Sequence, residues 1–269
     1  MAKASDPIGI FDSGIGGLTV AKAVKEILPN EKIIYFGDTA HLPYGDKSTA
    51  AIQAYSIKIC DIFLKRKCKV ILIACNSASA AATDLVKEYV GKKAKVFNVI
   101  EPVVNYIRET YRKTTIGLIG TKQTVGSEVY KSKIEGLGNE LNLNSLATPL
   151  LVPMIEEGFL EGTISQDIIN EYLKKPILQD IKALILGCTH YPLIKEQVTH
   201  FYKRKVEVID SSEMVARSLK AYLEYNLLVK TTGDTTNEFM VSDYTLSFEE
   251  LTKLFFGKQV HLEKYKLWE

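Results

Sequence analysis

Continuous apolar runs alternate along the first hundred residues with segments in which apolar side chains recur every three or four positions. The runs are typical of buried parallel strands and the periodic segments of amphipathic helices. Strands are predicted at residues 8–11, 32–36, 70–74 and 95–100, and helices at 19–28, 49–66 and 79–90. Alternation of this kind indicates α/β layers, in which helices cover a parallel sheet.

A second series of the same kind begins at residue 115. Strands are predicted at residues 116–119, 183–186 and 206–209, and helices at 123–135, 164–173, 193–202 and 212–223. The tail is predicted to contain a loop at 231–236 rich in Thr, Gly and Asp, a strand near Phe239, a helix at 248–256 and a closing β-like segment.

The two series resemble each other in order and spacing. Residues 8–14 resemble 116–121, and residues 71–76 resemble 184–189 at nearly the same separation along the chain. Two matches in the same order favour a duplication. The predicted fold class is therefore α/β, with two pseudo-symmetric parallel-sheet α/β domains and the active site in the cleft between them. The predicted domains are residues 1–99 plus 210–269, and residues 100–209.

Composition removes several classes of function. Hydrophobic residues make up 46% of the chain and charged residues 25%, with a net charge of +2, so the overall charge favours neither nucleic acid nor an anionic membrane as a partner. No apolar stretch has the length of a signal peptide or a membrane span, which predicts a cytoplasmic protein with reduced thiols. The four cysteines form no Cys-x-x-Cys pair, so we expect neither a disulfide framework nor a metal site.

Four polar segments follow predicted strands. They are residues 12–17, 42–45, 75–77 and 188–192. In parallel α/β sheets, ligands bind beyond the carboxyl ends of the strands. These segments are therefore the candidates for a binding site.

The first of these segments is a glycine-rich turn, Asp-Ser-Gly-Ile-Gly-Gly at residues 12–17. It departs from the dinucleotide fingerprint because Thr19 stands where the third glycine belongs, and the Gly-Lys-Ser/Thr of a phosphate loop is absent. An alternative is that its glycines let backbone amides approach a small anion such as a carboxylate. Asp12 at the strand end suits an ammonium group.

Cys75 and Cys188 carry the strongest chemical signal. Each ends an apolar strand and precedes polar residues, whereas Cys60 and Cys68 lie in or just after a long helix and are interpreted as buried core residues. Two such cysteines in matching positions of duplicated halves predict a pair of reactive thiols facing across a cleft. A redox couple is an alternative, although redox pairs are usually close in sequence. His190 beside Cys188 is predicted to hold or donate a proton.

The ordered set of motifs closely resembles that of glutamate racemases, within the aspartate/glutamate racemase superfamily. The motifs are Asp-Ser-Gly-Ile-Gly-Gly-Leu at 12–18, Gly-Asp-Thr-Ala at 37–40, Pro-Tyr-Gly at 43–45, Ala-Cys-Asn-Ser-Ala-Ser at 74–79 and Leu-Gly-Cys-Thr-His-Tyr-Pro at 186–192. The match continues through Ile-Asp-Ser at 209–211 and the Thr-Gly-Asp tail.

The resemblance implies a two-base racemase that uses neither pyridoxal phosphate nor a metal and that forms a homodimer. Cys75 and Cys188 are then the catalytic acid–base pair, with Cys75 acting on the D-enantiomer and Cys188 on the L-enantiomer. The residues implied to line the substrate are Asp12, Ser13, Tyr44, Gly45, Asn76, Ser77, Thr189 and His190. Supporting roles are implied for Asp38 and Glu156, and contacts with a substrate carboxylate for Thr121 and Thr124.

One residue departs from the family pattern, because Ser77 stands where a threonine is usual. The hydroxyl is kept and a methyl group is lost. The implied product is D-glutamate for peptidoglycan synthesis. Three alternatives remain open: a racemase of aspartate or hydantoins, a non-catalytic binding module for acidic metabolites, and a thiol-redox protein.

Overall fold

The chain forms ten strands, eleven α-helices and four short 3-10 helices over residues 2–232 and 236–268, which the computed structural model describes. The strands are β1 Ile8–Asp12, β2 Ile33–Gly37, β3 Val70–Ile73, β4 Lys95–Asn98, β5 Thr114–Gly120, β6 Leu141–Ala147, β7 Ala183–Gly187, β8 Glu207–Asp210, β9 Glu238–Val241 and β10 Glu263–Lys264. The central part of the predicted 231–236 loop, residues 233–235, lies outside the described residues.

The helices connect the strands in the expected alternation. They are α1 Leu18–Ile27, α2 Thr49–Lys65, α3 Asn76–Val90, α4 Ile100–Thr110, α5 Lys122–Gly126, α6 Val129–Glu135, α7 Leu151–Glu156, α8 Thr163–Leu173, α9 Lys195–Phe201, α10 Ser211–Tyr225 and α11 Leu246–Phe256.

Two parallel sheets organise these elements. The first sheet has the order β10-β9-β2-β1-β3-β4 and the second β6-β5-β7-β8, and all pairs between the described strands are parallel. In both sheets the first strand of its series lies between the second and the third, with the fourth outside the third. The common order confirms the predicted α/β fold and its pseudo-symmetry. Cys75 and Cys188 follow β3 and β7, which are equivalent strands.

Burial explains why the apolar runs become strands. Every residue of β1, β3 and β7 is buried, as expected for parallel strands covered by helices on both faces. At the amino end of β3, the buried Lys69 ammonium lies 2.7 Å from the Glu31 carboxylate and donates to the carbonyls of Ala4 and Leu228. Through the two carbonyl hydrogen bonds, Lys69 holds the N-terminal segment at Ala4 and the segment after α10 at Leu228 against the first sheet.

Two predicted elements differ from the observed ones. The helix predicted at 123–135 is two helices, because Glu128 adopts a left-handed backbone conformation (φ 54°) that ends the first and starts the second. The strand predicted at 95–100 ends at Asn98, whose Oδ1 accepts from the backbone amides of Ile100 and Glu101 and thereby caps α4. Helices α4 and α7 and strand β6 were not predicted.

The strands of the first sheet lie within residues 1–99 and 210–269, and those of the second within 100–209 except that β8 extends to Asp210, so the predicted domain division at 99/100 and 209/210 stays a prediction. Within the described part of the chain, no helix combines the length and the apolar character needed to cross a bilayer.

Candidate active site

A cavity of about 200 Å³ lies at the carboxyl ends of the strands, between the two sheets. It is lined by every predicted catalytic and substrate-binding residue except Asp12: Ser13, Tyr44, Gly45, Cys75, Asn76, Ser77, Cys188, Thr189 and His190. A larger groove of about 760 Å³ runs between α1 and α10 and contains neither cysteine. The small cavity is therefore the candidate active site.

Cys75 enters the cavity wall from the first sheet. It is the N-cap of α3, where its Sγ accepts from the backbone amide of Ala78 at 3.5 Å and donates to the Ser13 hydroxyl at 3.7 Å. Burial, reinforced by the negative charge of Asp12, raises the pKa of the Cys75 thiol to about 12. Cys75 is therefore held as a neutral thiol at neutral pH.

Cys188 enters the wall from the second sheet and has a different neighbour. Its Sγ lies 3.7 Å from Nδ1 of His190, whose Nε2 lies 2.9 Å from the Glu156 carboxylate. Burial opposes protonation of this imidazole, but its hydrogen bonds with Cys188 and Glu156 prevail and raise the pKa of His190 to about 10. An imidazolium therefore lies beside Cys188. The supporting position predicted for Glu156 is behind His190.

Asp12 lies beneath the glycine-rich turn. It is fully buried, and its Oδ2 accepts from the backbone amides of Gly14 at 3.2 Å and Gly17 at 2.9 Å. The amides of Gly14 and Gly17 therefore bind the Asp12 carboxylate of their own turn. An approach of other amides of the turn to a substrate anion stays a prediction. Burial raises the pKa of Asp12, opposed by the charge of His190 and by the amides of Gly14 and Gly17. A direct contact between Asp12 and a substrate ammonium group stays a prediction.

The glycines of the same turn make room for the site. A Cβ atom on Gly16 would lie 2.4 Å from Cε1 of His190 and 2.8 Å from Oγ1 of Thr189, and one on Gly17 would lie 2.5 Å from Cβ of Asp12. The Thr189 hydroxyl, 3.5 Å from Oδ1 of Asp12, connects the turn to the second sheet. The turn thus packs the two halves of the site together.

Tyr44 reaches the cavity from the loop after β2, where it is anchored by Asp38. The buried Asp38 carboxylate accepts from the hydroxyl of Tyr44 at 2.6 Å and that of Ser242 at 2.7 Å, and it lies 2.7 Å from Nδ1 of His41. Asp38 therefore anchors Tyr44 from outside the cavity lining, and its supporting role in the reaction stays a prediction. Gly45, next along the chain, packs against Thr121 of the opposite side.

Hydroxyl groups join the two sides of the cavity near α3. Oγ of Ser77 lies 2.9 Å from Oγ1 of Thr121 and 3.4 Å from Oγ1 of Thr124. Thr121 lines the cavity, whereas Thr124 is buried behind it. At the rim, Lys122 and Asp46 form an ion pair at 3.1 Å between the same two sides.

Sequence reasoning missed part of the cavity wall. Thr148 and Pro149 line it from the segment that joins β6 to α7, and Val152 and Pro153 line it from α7 itself. The signal was the alternation Leu-Asn-Leu-Asn at 141–144, which is typical of a strand exposed on one face. Recognising that strand would have placed Thr148 just beyond the carboxyl end of β6, where binding residues are expected.

The remaining cysteines lie away from the site. Cys60 and Cys68 are buried in the core on the α2 side of the first sheet, where burial raises the pKa of both thiols. Across residues 2–232 and 236–268, no three His, Cys, Asp or Glu side chains are grouped so as to hold a metal ion.

Comparison with known proteins gives consistent matches. The profile of the family described as Asp/Glu/Hydantoin racemase matches residues 17–219. The chain is 42% identical to the glutamate racemase of Aquifex aeolicus over 94% of this chain and 95% of the relative, and 39% identical to that of Chlorobaculum parvum over 94% and 93%. A crystal structure of glutamate racemase from Francisella tularensis in complex with D-glutamate superposes with a TM-score of 0.92 at 40% identity, covering 98% of both chains.

Proposed function

The chain belongs to the Asp/Glu/Hydantoin racemase family, and we propose that it interconverts L- and D-glutamate without a cofactor, with Cys75 and Cys188 as its two acid–base groups. One observation carries the mechanism: these cysteines follow equivalent strands of two different sheets and line one small cavity. Inversion at a carbon atom requires that a proton leave on one face and arrive on the other. Two sulfur atoms that contribute to the cavity from opposite sheets meet this requirement.

Glutamate is the proposed substrate because the relatives at 39% and 42% identity are glutamate racemases. A cavity of about 200 Å³ suits a single amino acid. The side chains of Asn76, Ser77 and Thr121 offer neutral hydrogen-bond donors in its wall, as two carboxylates require.

The chemical difficulty is the weak acidity of the α-carbon. When its proton leaves, negative charge spreads into the α-carboxylate, so donors fixed around that carboxylate stabilise the transition state more than the ground state. The protonated ammonium group of the substrate contributes in the same sense. A substrate that fills this small cavity displaces water from it, which strengthens each of these interactions.

The two sulfur atoms have different roles in the proposed mechanism. The buried Cys75 holds its proton, whereas Cys188, whose sulfur lies beside the His190 imidazolium, is the group that first accepts a proton from L-glutamate. With L-glutamate, the Cys188 sulfur removes the α-proton and the Cys75 thiol delivers its own proton to the other face. Cys75 is then a thiolate and Cys188 a thiol, which is the state that acts on D-glutamate.

The wider setting also belongs to the proposal. We place the enzyme in the cytoplasm, where thiols remain reduced, as a homodimer that supplies D-glutamate for peptidoglycan. Sedimentation or light scattering of the purified protein tests the dimer.

Proton NMR in heavy water tests the proposed reaction. Each enantiomer of glutamate is incubated with the protein, and the α-proton signal and the optical rotation are followed. We expect the α-proton to be replaced by deuterium while the optical rotation decays to zero, whichever enantiomer is the starting material. Binding without exchange would support a non-catalytic module, and faster exchange of aspartate would reassign the substrate.

A further inference from the structure

In the side-chain amide of Asn76, the oxygen atom accepts a hydrogen bond, whereas the nitrogen atom has no acceptor among the described residues. Asn76 is the first residue of α3, is 2% exposed and lines the cavity. Its Oδ1 accepts a hydrogen bond from the Tyr130 hydroxyl at 2.8 Å, whereas its buried Nδ2 has no partner among the described residues. A buried N–H group without an acceptor is destabilising, so a free donor in a cavity wall points to a ligand acceptor.

Tyr130 determines which end of the amide is free. Its buried hydroxyl has no other hydrogen-bond partner among the described residues, so its proton depends on Oδ1 of Asn76. If the amide turned over, Nδ2 would donate to the phenol oxygen and the Tyr130 proton would lose its acceptor. The carbonyl oxygen of Asn76 would then face the cavity and repel a carboxylate. Both effects favour the observed orientation.

The bond also joins the two sheets. Tyr130 lies in the first turn of α6, on the side of the second sheet, where the left-handed residue Glu128 separates α5 from α6. Asn76 follows β3 of the first sheet. The amide is therefore held in its orientation only while the two sides of the cavity are together.

We propose that Tyr130 is a positioning residue: by donating to Oδ1 of Asn76, it aims Nδ2 at a carboxylate of the bound substrate. This inference rests on the proposed function, because the acceptor is a carboxylate of glutamate. Tyr130 itself does not line the cavity. Its effect on the reaction passes through Asn76.

Tyr130→Phe removes the hydroxyl and keeps the ring. We expect KM for both enantiomers to rise about tenfold, the usual effect of losing one oriented hydrogen bond, and kcat to change by a smaller factor. Asn76→Ala should raise KM at least as much. In the Asn76→Ala background, Tyr130→Phe should have no further effect, because the amide that it orients is gone.

Tyr202→Phe is the matched control, since its hydroxyl bonds to the Leu178 carbonyl away from the cavity. It should leave KM unchanged. A purely structural role of Tyr130 would raise KM by the same factor in the parent and in the Asn76→Ala background. That result, or an unchanged KM for Tyr130→Phe in the parent, would overturn the inference. Dissociation constants for D-glutamate are measured in parallel. If the parent protein binds but does not racemise, the proposed function fails, while the ratio of dissociation constants still tests Tyr130.

Discussion

Nδ1 of His190 lies 3.7 Å from Sγ of Cys188, whereas the charged group that acts on Cys75 is the buried carboxylate of Asp12. A cation beside one sulfur and an anion near the other make the two halves of the site electrostatically unequal, although their strands are equivalent. The pseudo-symmetric fold therefore places unlike charges around its two equivalent cysteines.

This asymmetry has a thermodynamic limit. L- and D-glutamate have the same free energy in water, so kcat/KM must be equal in the two directions. The neighbours of the thiols can change kcat and KM separately for each enantiomer, but every substitution must change kcat/KM by the same factor in both directions. Kinetic data that violate this equality would indicate a second reaction.

Replacing either cysteine should abolish racemisation. Cys75→Ala and Cys188→Ala each remove one of the two acid–base groups, and we expect kcat/KM to fall by at least about a thousandfold in both directions, within the range known for general acid–base catalysis. Circular dichroism of each enantiomer measures this. Cys68→Ala, a buried cysteine in the core, should retain the parental rate. A near-parental rate for Cys188→Ala would disprove the two-base mechanism.

The His190 imidazolium should make stability depend on pH. Its folded pKa of about 10 exceeds the ordinary value of 6.5, so the folded state binds this proton more tightly than the unfolded state. The resulting stability is complete below pH 6.5 and is lost as the pH rises toward about 10. Urea unfolding at several pH values should show a free energy of unfolding that declines through this window.

Glu156→Gln distinguishes the contribution of His190 to this pH dependence of stability from that of the cysteine thiols. The neutral amide withdraws one partner of His190, so the folded pKa falls and the decline between pH 7 and pH 9 becomes smaller. The Cys68 and Cys75 thiols, whose pKa rises from 9.0 to about 12, add their own loss of stability at higher pH and leave this window nearly unaffected. A parent protein without a decline in this window would show that His190 is neutral, and identical declines in the parent and the variant would show that Glu156 contributes little to the pKa of His190.

The sequence located the residues that line the cavity better than those that hold them in place. The cysteines and His190 stand directly after apolar strands, where local pattern identifies them. Asp12 shares that position, yet the structure buries it under its own turn, because the amides of Gly14 and Gly17 bind its carboxylate. Tyr130 could not be found from pattern, since its partner lies 54 positions earlier and only the assembly of the two halves of the fold brings them together.

Gly16→Ala should disturb the acid–base pair directly. The added Cβ would lie 2.4 Å from Cε1 and 2.5 Å from Nδ1 of His190, so the imidazole must move relative to Cys188. We expect kcat/KM to fall more than about tenfold and stability to fall by about 1–3 kcal/mol, as for other overpacked sites. Gly126→Ala, where a Cβ meets nothing within 4 Å, is the control and should be active. Parental kinetics for Gly16→Ala would mean that the position of His190 is unimportant.

Ser77 tests how much of the site depends on its hydroxyl and how much on packing. Its Oγ lies 2.9 Å from Oγ1 of Thr121 across the cavity, so Ser77→Ala removes a bond between the two sides. We expect a loss of about fivefold to tenfold in kcat/KM, which corresponds to about 1 kcal/mol for one hydrogen bond.

Ser77→Thr keeps the hydroxyl and restores the methyl group that is usual in the family that this chain resembles. The residue is buried, so the methyl group should contribute about 0.8 kcal/mol if it is accommodated, and the melting temperature should rise while kcat/KM stays within about threefold of the parent. Steady-state kinetics and thermal unfolding of both variants decide the matter. If Ser77→Thr were as impaired as Ser77→Ala, the missing methyl group would be an adaptation of this cavity, and the hydroxyl bond to Thr121 would not explain the role of Ser77.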